Sequence, residues 1–288
     1  MITQDDKVAR FRDLHREGCF IVPNPWDALS ARLLAASGFE ALATTSSGYA
    51  FSTGRQDGAG QLSRDDVLAY AERVAACTDL PVTADLEDGY ADTPEGIAET
   101  IRLAAEAGLA GVSIEDSWPL GPAPVRDFHS ALERVGAASE AARRHDVVLT
   151  ARADGLLGGH YDLDEAIRRL TAFERTGAEV VYAPGVPSLE ALTALCAAVR
   201  APFNHVLGLG ASGLSFEQIA GAGVRRISLG GAFTRAACGA IRSVASRVAG
   251  GDFSPIDRAP RWDALLSRRD LDQDAGMSSS HHSDGERL

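Results

Sequence analysis

The chain has 288 residues, 45% hydrophobic and 24% charged, with a net charge of −12. That length carries one large domain or two small ones, and the acidic balance argues against non-specific binding to nucleic acid or to an anionic membrane. No apolar run approaches the about 18 residues of a membrane-spanning helix, and the charged, amphipathic start MITQDDKVARFRDLHREG lacks the apolar stretch of a secretory signal. Four cysteines, Cys19, Cys77, Cys196 and Cys238, are far apart and form no CxxC pair, which reads as reduced thiols in a cytoplasmic protein.

Short apolar runs alternate with longer helical patterns along the chain. CFIVPN (19–24) reads as a first strand, and WDALSARLLAASG as a helix closed by Gly38. FEALATTSS (39–47) is the second strand, followed by a glycine-rich loop and a helix from Ser63, which Asp66 helps to cap. LPVTADLE (80–87) is the third strand, and Thr93-Pro94 opens the helix after it. The remaining strands are AGVSIED (110–116), DVVLTARAD (146–154), AEVVYAPG (178–185), APFNHV (201–206) and VRRISLGG (224–231), with helical patterns in each gap. Eight apolar strands alternating with helices predict a (β/α)8 barrel, with a doubly wound open sheet as the alternative. Residues 1–266 are expected to form one barrel domain with terminal helices, and the polar stretch 267–288 a disordered tail.

Barrel sites lie at the carboxyl ends of the strands. There the sequence offers Asn24, Pro25, Trp26 and Asp27, then Thr45 to Tyr49, then Asp85, Glu87 and Asp88. Further on come Glu115 and Asp116, Arg152 and Asp154, Tyr182, Asn204 and His205, and Gly230-Gly231. TADLEDGYAD (83–92) gathers acids where a buried strand emerges. Asp85, Glu87 and Glu115 come from neighbouring strands, and their oxygen-only donor set suits a hard cation such as Mg²⁺, with Mn²⁺ as the alternative ion. The competing role for these acids is pairing with Arg152 or capping helices. Arg152 can bind a substrate carboxylate and stabilise negative charge developing on it, or serve as a salt bridge to Glu115 or Glu87. TTSSGYA reads as a turn whose amides and hydroxyls hold an anionic oxygen, or as a plain connection. GLGASG and SLGGAF could each cradle a phosphate or be only tight turns.

Taken in order, NPWDALSARLLAASGFEALATTSSGYAFSTGRQDG, TADLEDGYAD, GVSIED and TARAD resemble the isocitrate lyase / phosphoenolpyruvate mutase superfamily, over roughly residues 7–250. The resemblance implies a barrel with an extra C-terminal helix, often exchanged between subunits of a homotetramer built as a dimer of dimers. It also implies Mg²⁺-dependent chemistry on small α-keto or α-hydroxy acids through an enolate. By this resemblance Ser46, Ser47 and Gly48 bind the substrate carboxylate and keto oxygen, and Trp26 is an aromatic wall. Asp57 stands near the metal's waters, Asp85 is the main metal ligand, and Glu87 replaces a family Asp. Glu115 matches the acid after strand four, Arg152 steadies substrate or enolate, and Asn204 faces the pocket. His205 is a candidate general acid or base, or a hydrogen-bonded wall residue.

The stretch EDSWPLGPAPVRDFHS departs from the family pattern. It lacks the Lys-Lys-Cys-Gly-His type loop of isocitrate and methylisocitrate lyases, and the Lys and Asn of phosphonopyruvate-processing members. Ser117, Arg126 and His129 are the substitutes it offers. A decarboxylase needs less of this loop, so carbon–carbon lyase or decarboxylase chemistry on a small carboxylate is the leading expectation. Phosphorus–carbon chemistry and a non-catalytic metabolite-binding barrel are the alternatives. A nucleotide-dependent enzyme is disfavoured, because no GxGxxG opens the first helix and no GK[ST] occurs. Substrate selectivity is expected in loop residues such as Tyr49, Phe51, Trp118 and Leu156.

Overall fold

A computed structural model describes residues 2–118, 120, 123–208 and 213–261. The eight strands are β1 (Phe20–Val22), β2 (Leu42–Ala43), β3 (Val82–Asp85), β4 (Gly111–Glu115), β5 (Val148–Arg152), β6 (Val180–Tyr182), β7 (Phe203–Val206) and β8 (Val224–Ser228). All pair in parallel, in the order β1-β8-β7-β6-β5-β4-β3-β2. Helices alternate with them, so the chain is a (β/α)8 barrel, nearly closed. At the seam, the Ala43 N–H donates to the Pro23 carbonyl at 3.0 Å. Asn24 spans the same seam: its Nδ2 donates to the Thr44 carbonyl at 2.9 Å, and its Oδ1 accepts the Leu229 N–H at 2.9 Å.

The helices are α1 (Gln4–Leu14), α2 (Ala28–Ala36), α3 (Ser46–Ser52), α4 (Arg64–Ala76), α5 (Pro94–Glu106), α6 (Phe128–Arg144), α7 (Leu163–Arg175), α8 (Leu189–Ala198), α9 (Phe216–Gly221), α10 (Ala232–Ala249) and the short α11 (Ser254–Asp257). Local chemistry sets their starts. Ser63 and Asp66 form a reciprocal capping box on α4, and Thr93 caps α5 with Pro94 in its first turn. The second strand is shorter than the expected 39–47, because Thr45 ends it by capping α3: its Oγ1 accepts the Gly48 N–H at 3.2 Å. Only glycine fits at position 48, since a Cβ would lie 2.5 Å from Thr45 Cγ2 and 2.6 Å from Thr234 Oγ1. TTSSGYA is therefore a capped helix start rather than an open turn.

Side-chain alternation along the strands divides the core in two. Leu42, Val112, Ile114, Leu149 and Val181 face outward and pack against the helices. Phe20, Val22, Ala43, Val148 and Val180 point into the lumen, where Val8 and Phe11 of α1 plug the amino-terminal end. Phe11 is fully buried, which by area alone stabilises the fold by about 2 kcal/mol. Above this plug the lumen turns polar, with Thr150, Asn204 and Arg226 all buried.

His15, which caps the carboxyl end of α1, joins the two regions. Its ring meets Phe11 and Phe20 edge-on at 4.8 and 5.0 Å. Nδ1 lies 2.7 Å from the Phe11 carbonyl and so carries the proton, leaving the Nε2 lone pair toward Arg226 Nη1 at 3.4 Å. Burial, and then the charge of Arg226, hold this imidazole down at about 3. The folded protein therefore keeps His15 neutral, whereas the unfolded chain protonates it below about 6.5. Its stabilising contribution is complete above that value and is lost as pH falls toward 3. We expect acidification from pH 6.5 to 5 to cost about 2 kcal/mol through this residue. Urea melts of His15→Gln should lose that part of the pH slope; an unchanged slope would refute the assignment.

α10 is little covered for its length: of its residues only Thr234 is buried, and Ile241 is 67% exposed. Phe253 and Ile256, just beyond it, are also exposed. The expected domain end at 266 and the tail 267–288 lie outside the described residues. No helix among the described residues is long and apolar enough to cross a membrane.

Candidate active site

The carboxyl ends of the strands open onto a cavity of about 390 Å³. Its walls include Ser46, Ser47, Asp57, Asp85, Glu87, Glu115, Arg152 and Asn204, all singled out from the sequence. Thr44, Ser113, Asp154, Tyr182, Arg226 and Ser228 complete much of the lining.

Arg152, at the end of β5, is the hub. Its Nη1 donates to Asp85 Oδ1 at 2.8 Å, its Nη2 to Asp154 Oδ2 at 2.7 Å, and its Nε to Asp154 Oδ1 at 3.1 Å. Glu115 Oε2 lies 2.9 Å from Nη2, and the guanidinium sits 4.8 Å over the Tyr182 ring. Strand register explains the convergence, because Glu115 pairs with Arg152 and Arg152 with Tyr182 across β4, β5 and β6. Burial opposes the arginine's charge, but Asp154, Glu115 and Asp85 outweigh it and hold the guanidinium protonated. Burial also pushes Glu115 well above the usual carboxylate range, and Arg152 only partly pulls it back.

Asp85 is further ordered by hydroxyls. Ser46 Oγ donates to its Oδ2 at 3.0 Å and Ser113 Oγ to its Oδ1 at 3.4 Å, while its N–H donates to Thr44 Oγ1 at 2.9 Å. Glu87 follows two residues later with φ of 45°. A non-glycine residue in this left-handed region costs on the order of 1 kcal/mol, yet the turn holds it there with its side chain at the cavity. Burial, then the charge of Asp85, raise Glu87 to about 7. The same two causes, in the same order, raise Asp57.

Among the described residues, no three His, Cys, Asp or Glu side chains converge into a ready metal cage. Asp85 and Glu115 instead share Arg152, the ion-pair role foreseen as the competitor. The donor chemistry still fits Mg²⁺. Asp57, Asp85 and Glu87 are oxygen donors whose mutual repulsion is only partly relieved by Arg152. Mg²⁺ takes one or two protein carboxylates and fills its shell with waters and substrate oxygens.

Other candidates fall elsewhere. Trp26, Gly48 and His205 are not among the cavity-lining residues. His205 lies between two lining residues, Asn204 and Val206, so alternation turns it to the helix side. There it is 1% exposed, neither ring nitrogen has a partner among the described residues, and burial lowers its pKa. Asp116 likewise faces away from Glu115 and accepts from the Asp154 N–H, Tyr161 Oη and Arg169 Nη1 at 2.7, 3.0 and 2.9 Å. Asp88 accepts from Arg126 Nη2 at 3.1 Å and stays with the turn.

Beyond β4 the chain folds back on itself, with Ser117 bridging Val125 and the Trp118 N–H donating to the Pro124 carbonyl at 2.8 Å. Ser117 Oγ donates to Glu115 Oε1 at 2.6 Å, Arg126 stacks on Trp118 at 4.4 Å, and His129 is exposed. Of the expected selectivity residues only Phe51 lines the cavity; Tyr49 stacks on Tyr70 at 4.2 Å. Arg226 was missed in the sequence, although Arg226 and Ser228 share one strand face, a period-two signal.

Comparison with known proteins agrees with this architecture. A solved chain from Burkholderia cenocepacia J2315 is 45% identical, with a TM-score of 0.86, over 94% of this chain and 95% of that one. The structure of a 2,3-dimethylmalate lyase is 26% identical with a TM-score of 0.83, over 97% of this chain and 99% of that one. The oxaloacetate decarboxylase of Paraburkholderia xenovorans (strain LB400) is 32% identical over 202 residues, 66% of this chain and 64% of that protein. A sequence model described as phosphoenolpyruvate phosphomutase matches residues 11–249. The chain belongs to that family, and with it to the isocitrate lyase / phosphoenolpyruvate mutase superfamily.

Proposed function

We propose that the protein is an Mg²⁺-dependent carbon–carbon lyase or decarboxylase acting on a small α-keto or α-hydroxy carboxylate through an enolate. The observation that carries this reading is the buried Arg152 set among Asp85, Glu115 and Asp154 inside the cavity. Asp85 would hold the cation, with Glu87 and Asp57 beside it and Glu115 direct or through water. When bound, Mg²⁺ (or Mn²⁺) would polarise the keto oxygen and offset the charge that develops there. Arg152 supplies a second, fixed positive charge for the enolate, already oriented by its carboxylates. Ser46 orients Asp85, and Ser117 fixes Glu115. The superfamily relatives include lyases, a decarboxylase and mutases of small carboxylates. No lysine or cysteine stands in the sequence after β4 from Glu115 to Ser130, which favours a reaction needing no dedicated proton donor there, such as decarboxylation.

The test is a substrate panel with purified protein in Mg²⁺ and in EDTA: oxaloacetate, isocitrate, 2-methylisocitrate, 2,3-dimethylmalate and phosphonopyruvate, each followed by direct product detection. We expect EDTA-sensitive turnover of one carbon acid. Turnover of phosphonopyruvate alone would replace this reading with phosphorus–carbon chemistry. We also propose a homo-oligomer in which the little-covered α10 packs against another copy.

A further inference from the structure

The amino-terminal face of the barrel carries a second cavity, of about 630 Å³, at the end opposite the candidate active site. Its walls come from the starts of strands, with Val148 opening β5 and Val180 opening β6. In a chain with a net charge of −12, this lining holds four arginines, Arg12, Arg16, Arg200 and Arg225, and one acid, Glu179. His15 also lines it and is kept neutral by burial.

The single acid is already committed. Glu179 meets Arg12 in a two-pronged pair, with Oε2 accepting from Nε at 2.8 Å and Oε1 from Nη2 at 3.0 Å, while Arg12 Nη1 donates to Asp146 Oδ1 at 2.6 Å. Arg16 pairs with Asp13 at 2.8 Å on the exposed rim. The other two guanidiniums meet no carboxylate among the described residues. Arg225 Nη1 donates to the Gly18 carbonyl at 3.3 Å, a neutral partner. The Arg200 side chain has no hydrogen bond or ion pair among the described residues. Glu174, the acid nearest its backbone, accepts instead from the N–H groups of Arg200 and Ala201, at 2.8 and 3.1 Å.

Arg225 owes its place to a β-bulge. Across β7 and β8, Phe203 pairs with Val224 and Asn204 with Arg226, so Arg225 is the extra residue. A bulge re-aims a side chain. This one sets the half-buried Arg225 against the amino-terminal cavity, while Arg226 lines the active-site cavity above. Two uncompensated cations on one cavity repel each other, and an anion between them relieves that repulsion. Guanidinium forks suit phosphate geometry, and two of them match three phosphoryl oxygens better than the two oxygens of a carboxylate. The cavity is larger than a lone phosphate needs, and Val148, Val180 and Val199 give it an apolar wall for an organic body.

We infer that the amino-terminal cavity binds a phosphate monoester of a small organic molecule, with Arg200 and Arg225 gripping the phosphoryl group. The site lies at the barrel end opposite Arg152 and Asp85, so it stands apart from the lyase reading.

Isothermal calorimetry of the intact protein, in EDTA and low salt, tests it with ribose 5-phosphate, ribose and citrate. EDTA keeps a cation at the candidate active site from recruiting the phosphoryl group. Wild-type protein should bind ribose 5-phosphate at least about tenfold more tightly than ribose or citrate. Arg200→Gln and Arg225→Gln should each weaken that binding about tenfold. Arg235→Gln, which alters an arginine lining the opposite cavity, should leave it within about twofold. Arg200 is exposed, so its variant keeps the test decisive should Arg225→Gln fail to fold. No saturable binding of ribose 5-phosphate would overturn the site, and citrate binding as tightly would overturn its preference for phosphate. Binding that survives in both Arg200→Gln and Arg225→Gln, or that falls in Arg235→Gln instead, would place the ligand elsewhere and overturn the inference.

Discussion

Asp85→Asn is expected to lower turnover by about a thousandfold or more while the barrel stays folded. The residue closes β3 with its side chain held by Ser46, Ser113 and Arg152. Asparagine preserves its size, and Arg152 keeps Glu115 and Asp154, so no buried charge is left alone. What disappears is the negative oxygen that would face the cation. Mg²⁺ affinity measured by calorimetry should fall with activity, and the thermal melting profile should stay close to wild type. Activity within tenfold of wild type would show that the cation, if required, is held elsewhere.

Arg152→Met should act on stability as much as on activity. Arg152 and its three carboxylate partners are all largely buried, with side-chain exposures of 13% for the arginine and 20, 10 and 12% for Asp85, Glu115 and Asp154. Removing the cation strands these acids, and breaking a buried pair in this way costs about 3–5 kcal/mol. The loss should depend on pH with a definite sign. Without Arg152, Glu115, already raised by burial, is raised further in the folded state. A carboxylate whose folded pKa exceeds its unfolded value favours folding at low pH and loses that contribution as pH rises. Urea melts should therefore show a larger deficit at pH 7.5 than at pH 5.5. A deficit independent of pH would mean that packing of the arginine, not its charge, is what matters. Arg152→Lys should recover part of the stability but little activity, since one ammonium cannot reproduce a fork that meets three acids.

Much of this architecture is legible in the sequence, and the exceptions are instructive. The apolar runs mark every strand because a parallel sheet covered on both faces leaves little room for polar alternation. Where polar residues do alternate, they tell the faces apart. Asn204 and His205 are adjacent, so both cannot face the lumen, and the same holds for Glu115 and Asp116. Reading strand ends as undifferentiated clusters hides this. Arg226 escapes such a reading for another reason: it lies within the strand, and its long side chain carries charge into the lumen from below. The end of β2 was obscured because Thr45 is compatible with a strand, and only the Gly48 contact shows that its hydroxyl caps α3. Asp57 carries no local pattern of its own, and only family resemblance pointed to it.

The arrangement of the first and last strands has a consequence for biosynthesis. β1 finds its partner in β8, and His15 meets Arg226, a residue 211 positions later in the chain. At about 5–20 residues per second, a ribosome needs roughly 10–40 seconds to make that stretch. Throughout that interval the free edge of β1 has no strand beside it, and the apolar plug of α1 has no complete lumen to fill. The nascent barrel must therefore spend most of its synthesis with an open, pairing-competent edge, the condition under which chaperone capture or misassociation competes with folding.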